Sequence, residues 1–325
     1  MRPPALPLVT HYFVDRPPDR RGVAPEGDRG SGFTAPHKLV GMSSLLPGTP
    51  EVPGTPEVTV AEAPGVGIDG ADRPTEDRVV LLPNAVVLLD GATALQPGAR
   101  TGGWYAQHLS VELAARLRAE PTADLAALLA TAIANLAAEH HLVPGSSPSS
   151  TVALLRWTDT HVDALVLADS PIVAFTADGP QVLADDRIAT LPRPGGYRAR
   201  LVAGGGFGTD HVAALRTAGS TTGRLRNVPG GFWVAEAQPA AAQYAARASW
   251  PRAGLDAVLM ASDGVSCGVD DYRIFDWPQA LATARARGPQ AVLDAVRAAE
   301  RADPDGARWP RPKRHDDQAL VLVTF

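Results

Sequence analysis

Short apolar runs and amphipathic stretches succeed one another along the chain, and their two periods assign most of its elements. RVVLL (78–82) and AVVLL (85–89) are β-rich runs on either side of Pro83-Asn84, a turn signal, so they predict a hairpin. Apolar runs at 151–157, 162–168, 171–176, 255–262 and 318–325 predict further strands, with Asp169-Ser170-Pro171 as a tight hairpin turn between two of them. Leu109, Leu113 and Leu117 recur at helical spacing over about 103–118. Leu125, Leu128, Leu129, Ala132, Ile133 and Leu136 make a second such stripe over about 122–138, started by Pro121-Thr122. Helices are also expected near 237–247, 277–286 and 289–301, whereas 194–235, with AGGGFG at 203–208, reads as Gly-rich and irregular. Strands in hairpins and helices in pairs favour antiparallel sheets covered by helix pairs over an alternating parallel βαβ fold.

The pattern begins only near residue 57. Twelve of the 30 prolines fall in the first 70 residues, which breaks up regular elements there. The direct repeat PGTPEV-PGTPEV at 47–58 has too little apolar surface to pack by itself, and HYFVD (11–15) carries no assigned function. The expectation is a Pro-rich, disordered or loosely packed segment over 1–56 and one domain over 57–325.

Composition narrows the chemistry. Apolar residues are 45% and charged residues 20% of the chain, the balance of a soluble globular protein. A net charge of −5 offers no general attraction to nucleic acid or anionic lipid, so neither is expected as a partner. Arg308, Arg311, Lys313 and Arg314 form the best local basic patch, or else a solvated loop. The single Cys267 excludes an internal disulfide framework and a multi-cysteine zinc site, and fits a reducing, cytoplasmic compartment. No apolar run approaches the ~18 residues of a membrane span, and the N-terminus lacks a secretory apolar core.

Against this background, acids stand at the ends of apolar runs. Glu76-Asp77 precede RVVLL, Asp90-Gly91 follow AVVLL, Asp263-Gly264 follow AVLMAS, and Asp316-Asp317 precede QALVLVTF. In a hairpin turning at Pro83-Asn84, opposed residues sum to 167, so Asp77 faces Asp90, with Cβ atoms ~4.5–5.5 Å apart. Two like charges there repel unless a cation lies between them. Strands 255–262 and 318–325, if antiparallel neighbours, bring Asp263 and Asp316 to one sheet edge in the same way. Such oxygen clusters suit hard divalent cations, Mg²⁺ or Mn²⁺, and two of these can drive in-line displacement at phosphorus.

The order of these stations resembles the metal-dependent protein phosphatases, the type 2C-like serine/threonine phosphatase family, over about residues 60–325. PTEDRVV (74–80) is similar to the family's Asn-Glu-Asp opening, and VVLLDGATA (86–94) to its strand ending in Asp-Gly. SSTVALLRW (149–157) and LVLADSPIVAF (165–175) resemble its Gly-Ser-Thr strand and Gly-Asp-Ser-Arg hairpin. LMASDGVS (259–266) and HDDQALVLV (315–323) resemble its closing Ser-Asp-Gly and Asp-Asn motifs. The resemblance implies an α+β fold, a four-layer α/β/β/α sandwich of two antiparallel sheets flanked by helix pairs. It implies two divalent cations, Mn²⁺ or Mg²⁺, with a third near Asp169. Asp90 would bridge the two, Glu76 and the Gly91 carbonyl would hold one, Asp263 and Asp316 the other, and Asp77 would ligate or orient metal-bound water. A metal-bridging hydroxide would then attack phosphoserine or phosphothreonine on a protein phosphorylated by a Ser/Thr kinase. Arg73 would clamp the phosphate, and His315 is the candidate to protonate the leaving group.

Two other readings follow from the same residues. One is a catalytically weak relative that binds phosphoproteins or regulates a partner. The other is a serine hydrolase: Gly264-Val265-Ser266-Cys267-Gly268 matches G-x-S-x-G after a strand, with Asp303 or Asp305 and His315 downstream. That elbow needs a helix directly after the serine, and GVDDYRIFDW is not helical in pattern. His140-His141 reads as a helix C-terminus, and Trp104, Trp233 and Trp250 as core aromatics.

Overall fold

The structure, a computed structural model, describes residues 54–95, 100–191 and 196–325. The segment 1–53, including HYFVD and most of the PGTPEV repeat, lies outside the described residues. Pro53–Phe325 form one compact unit.

Its strands are β1 (Glu57–Ala63), β2 (Arg78–Leu82), β3 (Ala85–Leu89), β4 (Val152–Trp157), β5 (His161–Leu167), β6 (Ile172–Thr176), β7 (Gly179–Leu183), β8 (Ala246–Pro251), β9 (Leu255–Ala261) and β10 (Gln318–Thr324). They form two antiparallel five-stranded sheets, ordered β2-β3-β4-β5-β8 and β1-β10-β9-β6-β7. The helices are α1 (Gly102–Ala119), α2 (Leu125–His140), α3 (Arg187–Thr190), α4 (Tyr197–Val202), α5 (Thr209–Gly223), α6 (Asp263–Asp270), α7 (Trp277–Arg287) and α8 (Gln290–Ala302).

Alternation along the strands builds the layers. In β3 every residue is buried: Ala85, Val87 and Leu89 face α1 and α2, while Val86 and Leu88 face the other sheet. In β10, Ala319, Val321 and Val323 fill the space between the sheets, and Leu320 and Leu322 pack beneath α7 and α8. Three apolar layers thus separate four structural ones, the α/β/β/α sandwich that the motif order implied. Caps set where the covering helices start. Thr101 Oγ1 accepts from the Trp104 N–H at 3.1 Å to open α1, and Asp124 Oδ1 accepts from the Ala127 N–H at 2.9 Å to open α2.

The structure departs from the sequence reading in identifiable places. Strands β1, β7 and β8 were not anticipated; all three are sheet edges, so they lack the continuous apolar pattern of the central strands. The stretch 237–247 is not an α-helix but a 3₁₀ turn, Pro239–Tyr244, running into β8. The region 194–235 contains α4 and α5. In α5 only His211, Leu215 and Ala218 are buried, too sparse a stripe to stand out among Gly and Thr. Asp169-Ser170-Pro171 is not a hairpin turn, because β5 and β6 pair in different sheets and the segment crosses between them. Among the described residues no helix is long and apolar enough to cross a membrane.

Candidate functional site

The β2–β3 register pairs Arg78 with Leu89, and the ladder continues outward through a Gly91 N–H to Glu76 carbonyl bond of 3.2 Å. Asp77 and Asp90 therefore lie across from each other at the open end of the hairpin, as their positions predicted. The backbone of Asp90 is pinned from the neighbouring strand. Thr151 Oγ1 accepts from the Asp90 N–H at 3.0 Å, while Ser150 Oγ and the Thr151 N–H donate to its carbonyl at 2.8 and 2.9 Å. Thr151 Oγ1 also meets Ser170 Oγ at 2.6 Å, which ties the SSTVALLRW strand to the Asp169 crossing.

The other pair of stations is built where β9 enters α6. The Ser262 N–H donates to the Ala319 carbonyl at 3.0 Å, and Ser262 Oγ accepts from the Ala319 N–H at 2.9 Å. Asp263 is the first residue of α6 and Asp316 lies just before β10, so β9 and β10, antiparallel neighbours, bring them to one edge. Close backbone crossings make the geometry possible. A Cβ on Gly264 would sit 1.9 Å from the Asp317 carbonyl oxygen, and one on Gly91 would sit 2.4 Å from the carbonyl carbon of Gly102 at the start of α1.

The four acids lie within reach of one another's charge. Burial pushes the Asp77 carboxyl well above the usual range, and the charges of Asp317, Asp263 and Asp316 push the same way. Burial likewise raises Asp90, reinforced by the charges of Asp77, Asp263 and Asp316. Asp263 is pushed up to about 8 by burial, then by Asp316 and Asp169, with Lys313 offsetting only part of this. Asp77 is fully buried, and neither of its oxygens has a hydrogen-bond partner; the nearby Ser262 hydroxyl only tempers its shift. An unpartnered buried carboxylate is costly, and a hard cation would satisfy it.

Two cations of the chain already stand among the carboxylates. Arg73 forms ion pairs with Glu76 and with Asp317, the latter at 2.6 Å, and lies 3.4 Å from Thr93 Oγ1. Lys313, with a side chain 5% exposed, pairs with Asp316 Oδ1 and donates to Thr93 Oγ1 at 3.0 Å. Among the described residues, no three carboxylate, imidazole or thiol groups stand close enough together to enclose a metal ion as they are. The donor set of Asp77, Asp90, Asp263 and Asp316 nonetheless has the all-oxygen chemistry of a Mg²⁺ or Mn²⁺ site.

The remaining candidates fall as follows. Glu76 is buried between Arg73 and the Gly103 N–H, which donates to its Oε1 at 3.3 Å. Asp317 is structural: it accepts from the Gly65 N–H at 2.7 Å and anchors Arg73. Asp169 lies near enough for its charge to raise Asp263. His315 Nδ1 bonds the buried Glu300 carboxylate at 2.9 Å. The basic patch is not formed. Arg311 is buried on Asp303 at 2.9 Å, Lys313 is buried among acids, and Arg308 lies over the Trp309 ring at 4.2 Å. Thr93 was not anticipated as a site residue; a threonine two positions after an Asp-Gly carries no distinguishing signal in one sequence. A pocket of ≈ 300 Å³ opens beside it, lined by Asp69, Asp72, Arg73, Glu76, Thr93 and Thr101 among others. Ser266 lies inside α6 and is 6% exposed, so it is not at a strand-to-helix elbow, and GVD continues the helix that the sequence pattern did not suggest.

This architecture is the fold of the PPM-type serine/threonine phosphatases. Stp1 from Staphylococcus aureus, a serine/threonine phosphatase, superposes with a TM-score of 0.51 at 14% identity, covering 86% of this chain and 99% of that one. PppA, described as a key regulatory component of T6SS in Pseudomonas aeruginosa, gives 0.49 at 17% identity over 83% and 98% of the two chains. The catalytic domain of the phosphatase PstP, solved with two manganese ions, gives 0.48 at 15% identity over 83% and 97%. No protein-family model and no curated protein matches the sequence.

Proposed function

We propose that this chain is a Mn²⁺- or Mg²⁺-dependent phosphatase that hydrolyses phosphoserine or phosphothreonine on proteins. The observation that carries the reading is Asp77, a fully buried carboxylate with two unpartnered oxygens, set against Asp90, Asp263 and Asp316. These four would form a divalent-cation centre, with Glu76 and the Gly91 carbonyl beside them and Asp169 within electrostatic reach. Bound there, such ions supply an activated water and neutralise the phosphate charge. The chain's own residues do the rest. Arg73 and Thr93 line the pocket through which a phosphorylated side chain enters and bind its oxygens. His315, oriented through Nδ1 by Glu300, keeps Nε2 for protonating the departing hydroxyl. The substrates are products of a Ser/Thr kinase, and the setting is the cytoplasm.

The test is turnover of p-nitrophenyl phosphate and of a phosphothreonine peptide with and without Mn²⁺. Turnover is expected to require Mn²⁺ and to fall by about 10² or more in Asp90→Asn. A second reading, a phosphoprotein-binding module without turnover, is favoured by the occupation of Arg73 by two acids; phosphopeptide binding with no hydrolysis would establish it. Metal-independent ester hydrolysis abolished by Ser266→Ala would establish a serine hydrolase instead.

A further inference from the structure

Lys313 was legible only as part of a basic run, yet it is buried against the carboxylate cluster. Its ammonium pairs with Asp316 Oδ1, which also accepts from the Asp317 N–H at 2.9 Å, and it donates to Thr93 Oγ1 at 3.0 Å. The side chain is 5% exposed. Its charge reaches Asp263. The ammonium therefore stands at the Asp263–Asp316 half of the cluster. Arg73 sits on the Glu76 and Asp317 carboxylates nearby, leaving Asp77 as the member without a partner.

We infer that Lys313 is a built-in cation that takes the place of one divalent ion, so that the protein binds a single Mn²⁺ or Mg²⁺, at Asp77 and Asp90. Two physical points support this. Asp316 Oδ1 is already engaged by the Lys313 ammonium and the Asp317 N–H. A buried ammonium is costly to displace, because it would have to be re-solvated or left unpaired in the same low-dielectric pocket. A tethered ammonium also differs from a metal ion in what it offers substrate. It donates hydrogen bonds to a phosphate oxygen and cannot bind and acidify a water, so one half of the site becomes a recognition element and the other remains available for chemistry.

The inference rests on the divalent-cation reading above, and the experiment separates the two. The full-length chain is titrated with Mn²⁺ by calorimetry, bound metal is counted after equilibrium dialysis, and the Mn²⁺ magnetic-resonance spectrum is recorded for wild type, Lys313→Met and Lys313→Gln. Wild type is expected to saturate at one Mn²⁺ per chain with the spectrum of an isolated ion. Either variant is expected to take up a second and to show an exchange-coupled pair. Two ions in wild type would overturn the inference whether or not the variants fold, while leaving the metal-dependent reading intact. One ion in wild type and in folded variants would overturn it as well. No binding in any form would overturn both.

Discussion

Ala168 is a small residue in a demanding place. It has a left-handed backbone, φ 68, directly before Asp169, and its N–H donates to Asp185 Oδ2 at 3.1 Å. A β-branched side chain there meets steric conflict that alanine narrowly avoids. Ala168→Val is expected to destabilise the fold by about 2 kcal/mol or more, read as a lower urea midpoint, and to weaken Mn²⁺ binding by moving Asp169. Asp77 carries the opposite balance. Its unpartnered charge opposes folding until a cation arrives. Asp77→Asn is expected to stabilise the metal-free protein, more at pH 8 than at pH 5, and to abolish the stabilisation that Mn²⁺ gives wild type. Equal unfolding midpoints for the two proteins at pH 8 would contradict this account of Asp77.

Among the elements, β3 does most to connect core and site. It is buried on both faces, and its last residue leads into Asp90. Leu88→Ala opens a cavity between the sheets and is expected to cost ~2–5 kcal/mol. Thr151, at the start of β4, bonds the Asp90 N–H and Ser170. Thr151→Val keeps the shape but removes both bonds; the expected result is a loss of ~1–3 kcal/mol and weaker Mn²⁺ affinity, measured by calorimetry. The elements also show where pattern reading works. Central strands and the α1, α2, α7 and α8 helices bury one or two full faces, so their periods are visible. Edge strands β1, β7 and β8, the six-residue helix α4 and the small-residue helix α5 bury too little to announce themselves.

For the whole molecule, the carboxylate cluster sets a pH dependence. Asp77, Asp90 and Asp263 hold their protons more tightly folded than unfolded, Asp263 up to about 8. The contribution of Asp263 to stability is therefore fully present below the ordinary carboxylate pKa of about 4 and is lost as pH rises through about 8, and Asp77 and Asp90 act in the same direction. Without divalent cations, the unfolding midpoint is expected to fall steadily from pH 5 to pH 8. Saturating Mn²⁺ is expected to raise it more at pH 8 than at pH 5, because the ion displaces protons from the acids that bind it. A metal-free midpoint that rises across this range would show that the acids are not protonated in the fold.

The sequence by itself determined most of the strand-and-helix inventory of the core, the hairpin register that opposes Asp77 to Asp90, and the order of the acidic stations; the sandwich was implied by the resemblance of that order to a known family. These are local properties: period, turn chemistry and spacing along one strand pair. Only the tertiary structure decided which charges meet across elements. It put Lys313 among acids and not in a basic patch, gave Arg73 to Glu76 and Asp317, and set Thr93 between the two cations. It also sent the Asp169 segment from one sheet to the other. The physical reason is range. A backbone period is written in neighbouring residues, whereas the partner of a buried charge is chosen by the folding of segments as distant as Thr93 and Lys313, where burial makes each unpaired charge too costly to leave alone.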